Sequence, residues 1–137
     1  MISHQQIISR LKSNKLFASL NENDLSELAA NAVVKEFMPA DIVFKQNGTE
    51  QMAYFVHSGK ISIHIDALLM SHYTEGSFFG EFSMLDGTKY TASAIAQEPT
   101  VLIGISREHF FDQIEKSRDM AIKIIEEIVR RLKRHIA

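Results

Sequence analysis

Three kinds of hydrophobic spacing follow one another along the chain. Over residues 5–32 the spacing predicts helix: Leu25, Leu28, Ala29 and Ala32 recur at i, i+3, i+4 and i+7, and Asn21 with Asp24 three residues on approximates a capping box. From about residue 33 to 105 the period shortens to two. It is clearest in Lys60-Ile61-Ser62-Ile63-His64-Ile65-Asp66, where isoleucines alternate with polar residues as on a half-buried strand. Segments of the same kind recur at 42–45 (IVFK), 53–57 (AYFVH), 67–73 (ALLMSHY), 91–96 (TASAIA) and 100–105 (TVLIGI). Turn signals separate them at Asn47-Gly48, Ser58-Gly59, Glu75-Gly76, Asp86-Gly87 and Glu98-Pro99, the rhythm of an antiparallel sandwich or barrel.

After Ser106, a candidate N-cap, the helical period returns with Phe110, Phe111 and Ile114, and Ser117 is placed to cap a second helix running to about Ile136. In that second helix Ala121, Ile125, Ile128 and Leu132 fall at spacings of four, three and four. Ile122, Ile124, Val129 and Ile136 widen the apolar face beyond one stripe. A helix this apolar needs two partners, expected to be the β-region and the same helix of a second subunit. The plainer alternative is that it buries everything within its own monomer. No internal repeat, low-complexity run or Pro/Gly-rich linker interrupts the chain, so one domain over 1–137 is expected, divided as 1–32 helical, 33–105 β and 106–137 helical.

Composition narrows the function classes. A chain of 137 residues buries roughly two-thirds of its unfolded surface, enough for a core without staples. With no cysteine, disulfides and thiolate metal sites are excluded, and a reducing compartment is compatible. The opening MISHQQIISRLKSNK lacks the apolar run of a signal peptide, and no segment approaches the roughly 20 apolar residues of a membrane span, so a cytoplasmic protein without membrane partners is expected. A net charge of -2 provides no global field to gather nucleic acid. Any anion site must be local.

One local stretch invites such a site. Gly80-Glu81 follows Phe78-Phe79 and precedes Phe82-Ser83-Met84-Leu85, long enough for a short helical turn. A glycine before a short helix lets the amides of the first turn converge on one point and form an anion nest. Glu81, an acceptor when ionised, suits hydroxyls such as those of a sugar. The same glycine is equally consistent with an ordinary β-to-α turn.

The order of the elements and the wording of several segments resemble the cyclic nucleotide-binding domain of catabolite-activator-type regulators, protein kinase regulatory subunits and ion channels. The resemblance runs through 14–29 (NKLFASLNENDLSELA), 37–63 (FMPADIVFKQNGTEQMAYFVHSGKISI) and 74–96 (TEGSFFGEFSMLDGTKYTASAIA) to the helices after Ser106. It rests on Pro39 with Ile42 to Phe44, Tyr54 with Ser58-Gly59, and Gly76 with Phe78-Phe79-Gly80-Glu81. It implies an α+β fold: an antiparallel β-roll (a double-stranded β-helix, jelly-roll-like) with N-terminal helices, a short helix in a phosphate-binding cassette and two C-terminal helices.

In that family the cassette, here Phe79 to about Ala96, holds a cyclic phosphate on backbone amides and one arginine, while the glutamate holds the ribose 2'-hydroxyl. The resemblance therefore assigns Phe79, Gly80, Glu81, Phe82, Ser83, Lys89, Tyr90 and Thr91 to the ligand, with cyclic AMP or cyclic GMP as the candidate. At the family's spacing the arginine falls on Tyr90 or Thr91. Lys89, the only cation of the cassette, sits one residue early, which on a strand entry aims it at the opposite face. A hydroxyl at Thr91 is associated in the family with a preference for guanine.

Other features receive plainer readings. The histidines His4, His57, His64, His72, His109 and His135 show no HxH pair of the kind used by metal-binding cupin barrels, so no metal is expected. Nothing like GxSxG, a Walker loop or HExxH occurs, so no enzyme is expected. The basic run Arg130-Arg131-Leu132-Lys133-Arg134-His135 ends a predicted helix, where cations complement the dipole, so no DNA contact and no DNA-binding helix-turn-helix are expected. The expected function is a non-catalytic sensor module with weakened or altered cyclic nucleotide binding, signalling to a protein partner or a second subunit. The alternative is a ligand-free scaffold that keeps the fold as a dimeric or partner-binding surface.

Overall fold

The computed structural model describes residues 1–136. Two compact units form, one from residues 1–31 together with the chain from Glu108 onward, the other from residues 32–107.

In the helical unit, α1 (His4–Lys12) opens with a full capping box: Ser3 Oγ accepts from the Gln6 amide and Gln6 returns a bond to the Ser3 amide. The helix expected over 5–32 breaks here. Ser13 caps α1, Asn14 Oδ1 accepts from the Leu16 amide, and turns carry Leu16, Phe17 and Leu20 into the core before α2 (Glu22–Asn31) begins. Asn21 caps α2 as expected, accepting from the Asp24 amide at 2.8 Å. The Asp24 carboxylate does not close the box. It is buried, and takes hydrogen bonds from Gln113 Nε2 and Ser117 Oγ, both at 2.7 Å. These partners lie in α4 (Arg107–Lys116) and at the cap of α5 (Arg118–Ile136), where Ser117 also accepts from the Met120 amide. Phe17 meets Phe110 edge to face at 6.2 Å.

The apolar face of α5 has a different register from the one expected. Met120 and Ile124 are buried, with Glu127 beside them. Ile122, Ile125, Val129, Leu132 and Ile136 are exposed, at successive spacings of three, four, three and four. Glu127 is held by Arg130 and Arg134, each at 3.1 Å.

The β-unit holds two four-stranded antiparallel sheets, ordered β1-β8-β3-β6 and β2-β7-β4-β5. The strands are β1 (Val33–Phe37), β2 (Ile42–Phe44), β3 (Met52–Ser58), β4 (Lys60–Ile65), β5 (Leu68–Thr74), β6 (Phe78–Phe79), β7 (Ser93–Ala96) and β8 (Thr100–Ser106). Phe44, Ile61, Ala94 and Ala96 from one sheet and Tyr54, Val56, Phe79 and Leu102 from the other form a single buried cluster, which makes the pair of sheets a β-roll. The β3-β4 turn requires glycine: Gly59 has φ +100, and a Cβ there would lie 2.3 Å from Thr100 Oγ1. Between β6 and β7 lies the only helix of this unit among the described residues, α3 (Glu81–Asp86). The predicted α+β roll with flanking helices and a short cassette helix is the observed architecture.

Candidate functional site

The pocket is built around α3. Gly80 adopts φ +80 in the left-handed region, and a Cβ there would stand 2.8 Å from the Met52 carbonyl oxygen, so the chain can turn out of β6 this close to β3 only with glycine. Ser83 is buried and its hydroxyl donates to the Thr88 carbonyl. Asp86 accepts from both the hydroxyl (2.6 Å) and the amide (2.9 Å) of Thr88. These bonds, aided by the nearby Arg107 charge, hold its carboxyl below the usual range.

The far end of α3 is fastened from two sides. Arg107 Nη1 donates to the carbonyls of Met84 (2.9 Å) and Leu85 (2.8 Å), the unpaired C-terminal acceptors where a cation also meets the dipole. Gln51 Nε2 donates to the Gly87 carbonyl, from a backbone position whose φ is +59.

Tyr90 forms the floor. Its ring lies parallel to Phe44, with centroids 3.8 Å apart and planes 4° from coplanar, and the residue is 3 % exposed. Its hydroxyl accepts from the Met52 amide and donates to the Met52 carbonyl, both at 2.7 Å. Its own backbone is bonded to Gly48 and Asn47 of the turn after β2. Burial pushes the phenol well above its ordinary value of 10.0. The carbonyl that receives the phenol is the one that abuts Gly80, so the hydroxyl stands beside the entry to α3.

Phe79, Gly80, Glu81, Phe82, Ser83, Lys89, Tyr90 and Thr91 all line one open pocket of about 120 Å³, smaller than the roughly 300–1,000 Å³ of typical small-molecule sites. Lys89 is exposed and borders it. Residues 88–90 are not strand, so the alternation that would have turned Lys89 away does not operate. Phe44, Ile63, Tyr73 and Ala92 complete the lining. These were not singled out from the sequence, although Ile63 and Tyr73 sit in the alternating strands that signalled the roll. Arg107 and Gln51 carry no local signal, because their partners lie more than twenty residues away.

Among the described residues no group of three His, Asp or Glu side chains is arranged to hold a metal, and no helix is long and apolar enough to cross a membrane.

A two-sheet roll with a short helix inserted beside a concave pocket defines a small-molecule-binding regulatory module. The chain belongs to the cyclic nucleotide-binding domain family, which it matches over residues 34–117, and is a regulatory or sensor domain of that type. It is 29% identical over 104 residues to the cGMP-dependent protein kinase of Plasmodium berghei, covering 76% of this chain and only 12% of the kinase. Its fold is that of the sensor domain of the transcriptional regulator DNR from Pseudomonas aeruginosa (TM-score 0.80, 24% identity, 97% of this chain and 93% of that one). The regulatory domain of Toxoplasma gondii PKA, solved with cAMP, shares it as well (TM-score 0.74, 22% identity, 80% of this chain and 43% of that one).

Proposed function

We propose that the chain is a non-catalytic sensor module in which binding of cyclic AMP or cyclic GMP at the α3 pocket is weakened or altered. The observation that carries this reading is Tyr90. It is one of the two positions, with Thr91, on which the family's arginine falls, it is buried, and its hydroxyl spends both donor and acceptor on Met52. Losing one partner of a buried charge pair costs about 2–5 kcal/mol, roughly thirty- to several-thousandfold in affinity. Neutral bonds from the remaining lining restore only about 1 kcal/mol each. Calorimetric titration with cyclic AMP and cyclic GMP tests this: dissociation constants far above the micromolar range are expected, and low-micromolar binding of either sinks the reading.

The space beside Tyr90 favours a ligand over the alternative, a ligand-free scaffold, because the ring packs down on Phe44 and leaves the cavity open. The output runs through a homodimer formed by α5. Its exposed Ile122, Ile125, Val129, Leu132 and Ile136 follow the three-four spacing of a heptad seam, four of the five positions being β-branched. A nucleic-acid partner is not proposed, since Arg130 and Arg134 are engaged by Glu127 of their own helix. The cysteine-free composition fits a cytoplasmic setting.

A further inference from the structure

The lining of the pocket narrows the ligand class beyond a weakened response to cyclic nucleotides. Its walls are flat and apolar. Phe44 and Tyr90 are stacked, Tyr73 and Phe79 lie 5.4 Å apart with planes 14° from parallel, and Phe82 on α3 is 67% exposed. Such surfaces favour a flat aromatic ligand that can take an offset-stacked place among them.

The charges point the same way. Glu81 and Lys89 bring one negative and one positive side chain to the lining, so an added phosphodiester would leave the site with excess negative charge. Lys89 is exposed, where solvent and salt screen its attraction. Two of the lining hydroxyls offer an anion no replacement, since that of Tyr90 is taken by Met52 and that of Ser83 donates to Thr88, which leaves those of Thr91 and Tyr73 as neutral donors. The six residues of α3 add only a short stack of peptide dipoles. A carboxylate such as Glu81 accepts but cannot donate, so it repels phosphate oxygens and suits hydroxyl groups.

We infer that the pocket takes an uncharged, flat, hydroxyl-bearing ligand, of which a purine nucleoside is the simplest example, at least as tightly as the cyclic phosphodiester of that nucleoside. This rests on the reading of the α3 pocket as the ligand site. The test is calorimetric titration of the whole chain with adenosine, guanosine, cyclic AMP and cyclic GMP, in low and high salt. The expected result is a nucleoside that binds no more weakly than its cyclic phosphate, with an affinity that salt leaves unchanged. A cyclic phosphate that binds more than about tenfold tighter than its nucleoside overturns the inference. Silence with all four overturns it too, while agreeing with lost cyclic nucleotide binding. A micromolar cyclic nucleotide matched by its nucleoside overturns the weakened-binding reading and leaves the inference standing. Phe82→Ala, at an exposed position that the fold tolerates, locates the binding: several-fold weaker affinity is expected, and an unchanged one places the ligand elsewhere and overturns the inference.

Discussion

Replacing Tyr90 with Phe removes one oxygen and leaves the ring on Phe44. In the native chain that oxygen satisfies both backbone groups of Met52, at 2.7 Å each. A net contribution of about 0.5–1.5 kcal/mol per bond predicts a loss of about 2 kcal/mol, or a fall of about 6 °C in the unfolding midpoint for a chain of this size. The phenol adds a pH signature. Its folded-state pKa is raised by burial above the ordinary 10.0. Below pH 10 both folded and unfolded states hold the proton, and the group's contribution is complete. As pH rises further the unfolded chain ionises first, so native stability falls by up to about 1.4 kcal/mol per pH unit. The variant lacks this loss, so the gap between native chain and Tyr90→Phe should narrow above pH 10. Thermal melts of both proteins across pH 7–11 measure the two effects together. A midpoint within about 1 °C of native at pH 7, or a gap that stays constant into alkali, would refute the claim that this tyrosine is locked into the roll.

Arg107→Met should loosen the end of α3, speeding hydrogen exchange of its amides by about a hundredfold or more for two charged bonds worth about 3 kcal/mol together; unchanged exchange would mean the clamp is ornamental. Asp24→Ala strands the buried amide of Gln113 and the hydroxyl of Ser117 and is expected to cost about 3 kcal/mol in urea unfolding. Burial works against ionisation of Glu127, but its bonds from Arg134 and Arg130 prevail and lower its pKa, so its contribution is present at neutral pH and disappears as acid protonates the folded carboxylate. Glu127→Gln should therefore be about 1 kcal/mol less stable than native at pH 7, with the difference closing in acid. The double change Val129→Glu with Leu132→Glu should convert a sedimenting dimer to monomer; a native chain that already sediments as a monomer would rule out the α5 seam.

Most strands were legible as apolar runs between turn signals, including β3 and β8, which are buried on both faces. In β4 the alternating isoleucines mark the strand and Ile61 lies in the buried cluster, but Ser62 on the opposite face is buried as well. β1 was not singled out because four of its five residues, valines included, are exposed, so burial leaves no alternation to see. β6 has two residues, too few for any period. The helix α5 was legible as a helix but not in its register. With apolar residues on more than one face, spacing alone could not choose the buried set, and the neighbours of Met120 and Ile124 made that choice. At the site, the glycine and the residues that follow it were readable because a short helix after a left-handed turn is a local event. Arg107 and Gln51 were not, since only the folded roll brings them to α3.

The central claim is that one side chain, at position 90, decides whether this pocket answers to a cyclic phosphate. Titrating cyclic AMP and cyclic GMP into Tyr90→Arg alongside the native chain, with circular dichroism to confirm that the roll remains folded, measures this most directly. The account predicts that the guanidinium raises affinity for at least one of them by roughly thirtyfold or more. Equal affinity in a folded variant, or tight binding by the native chain, would contradict it.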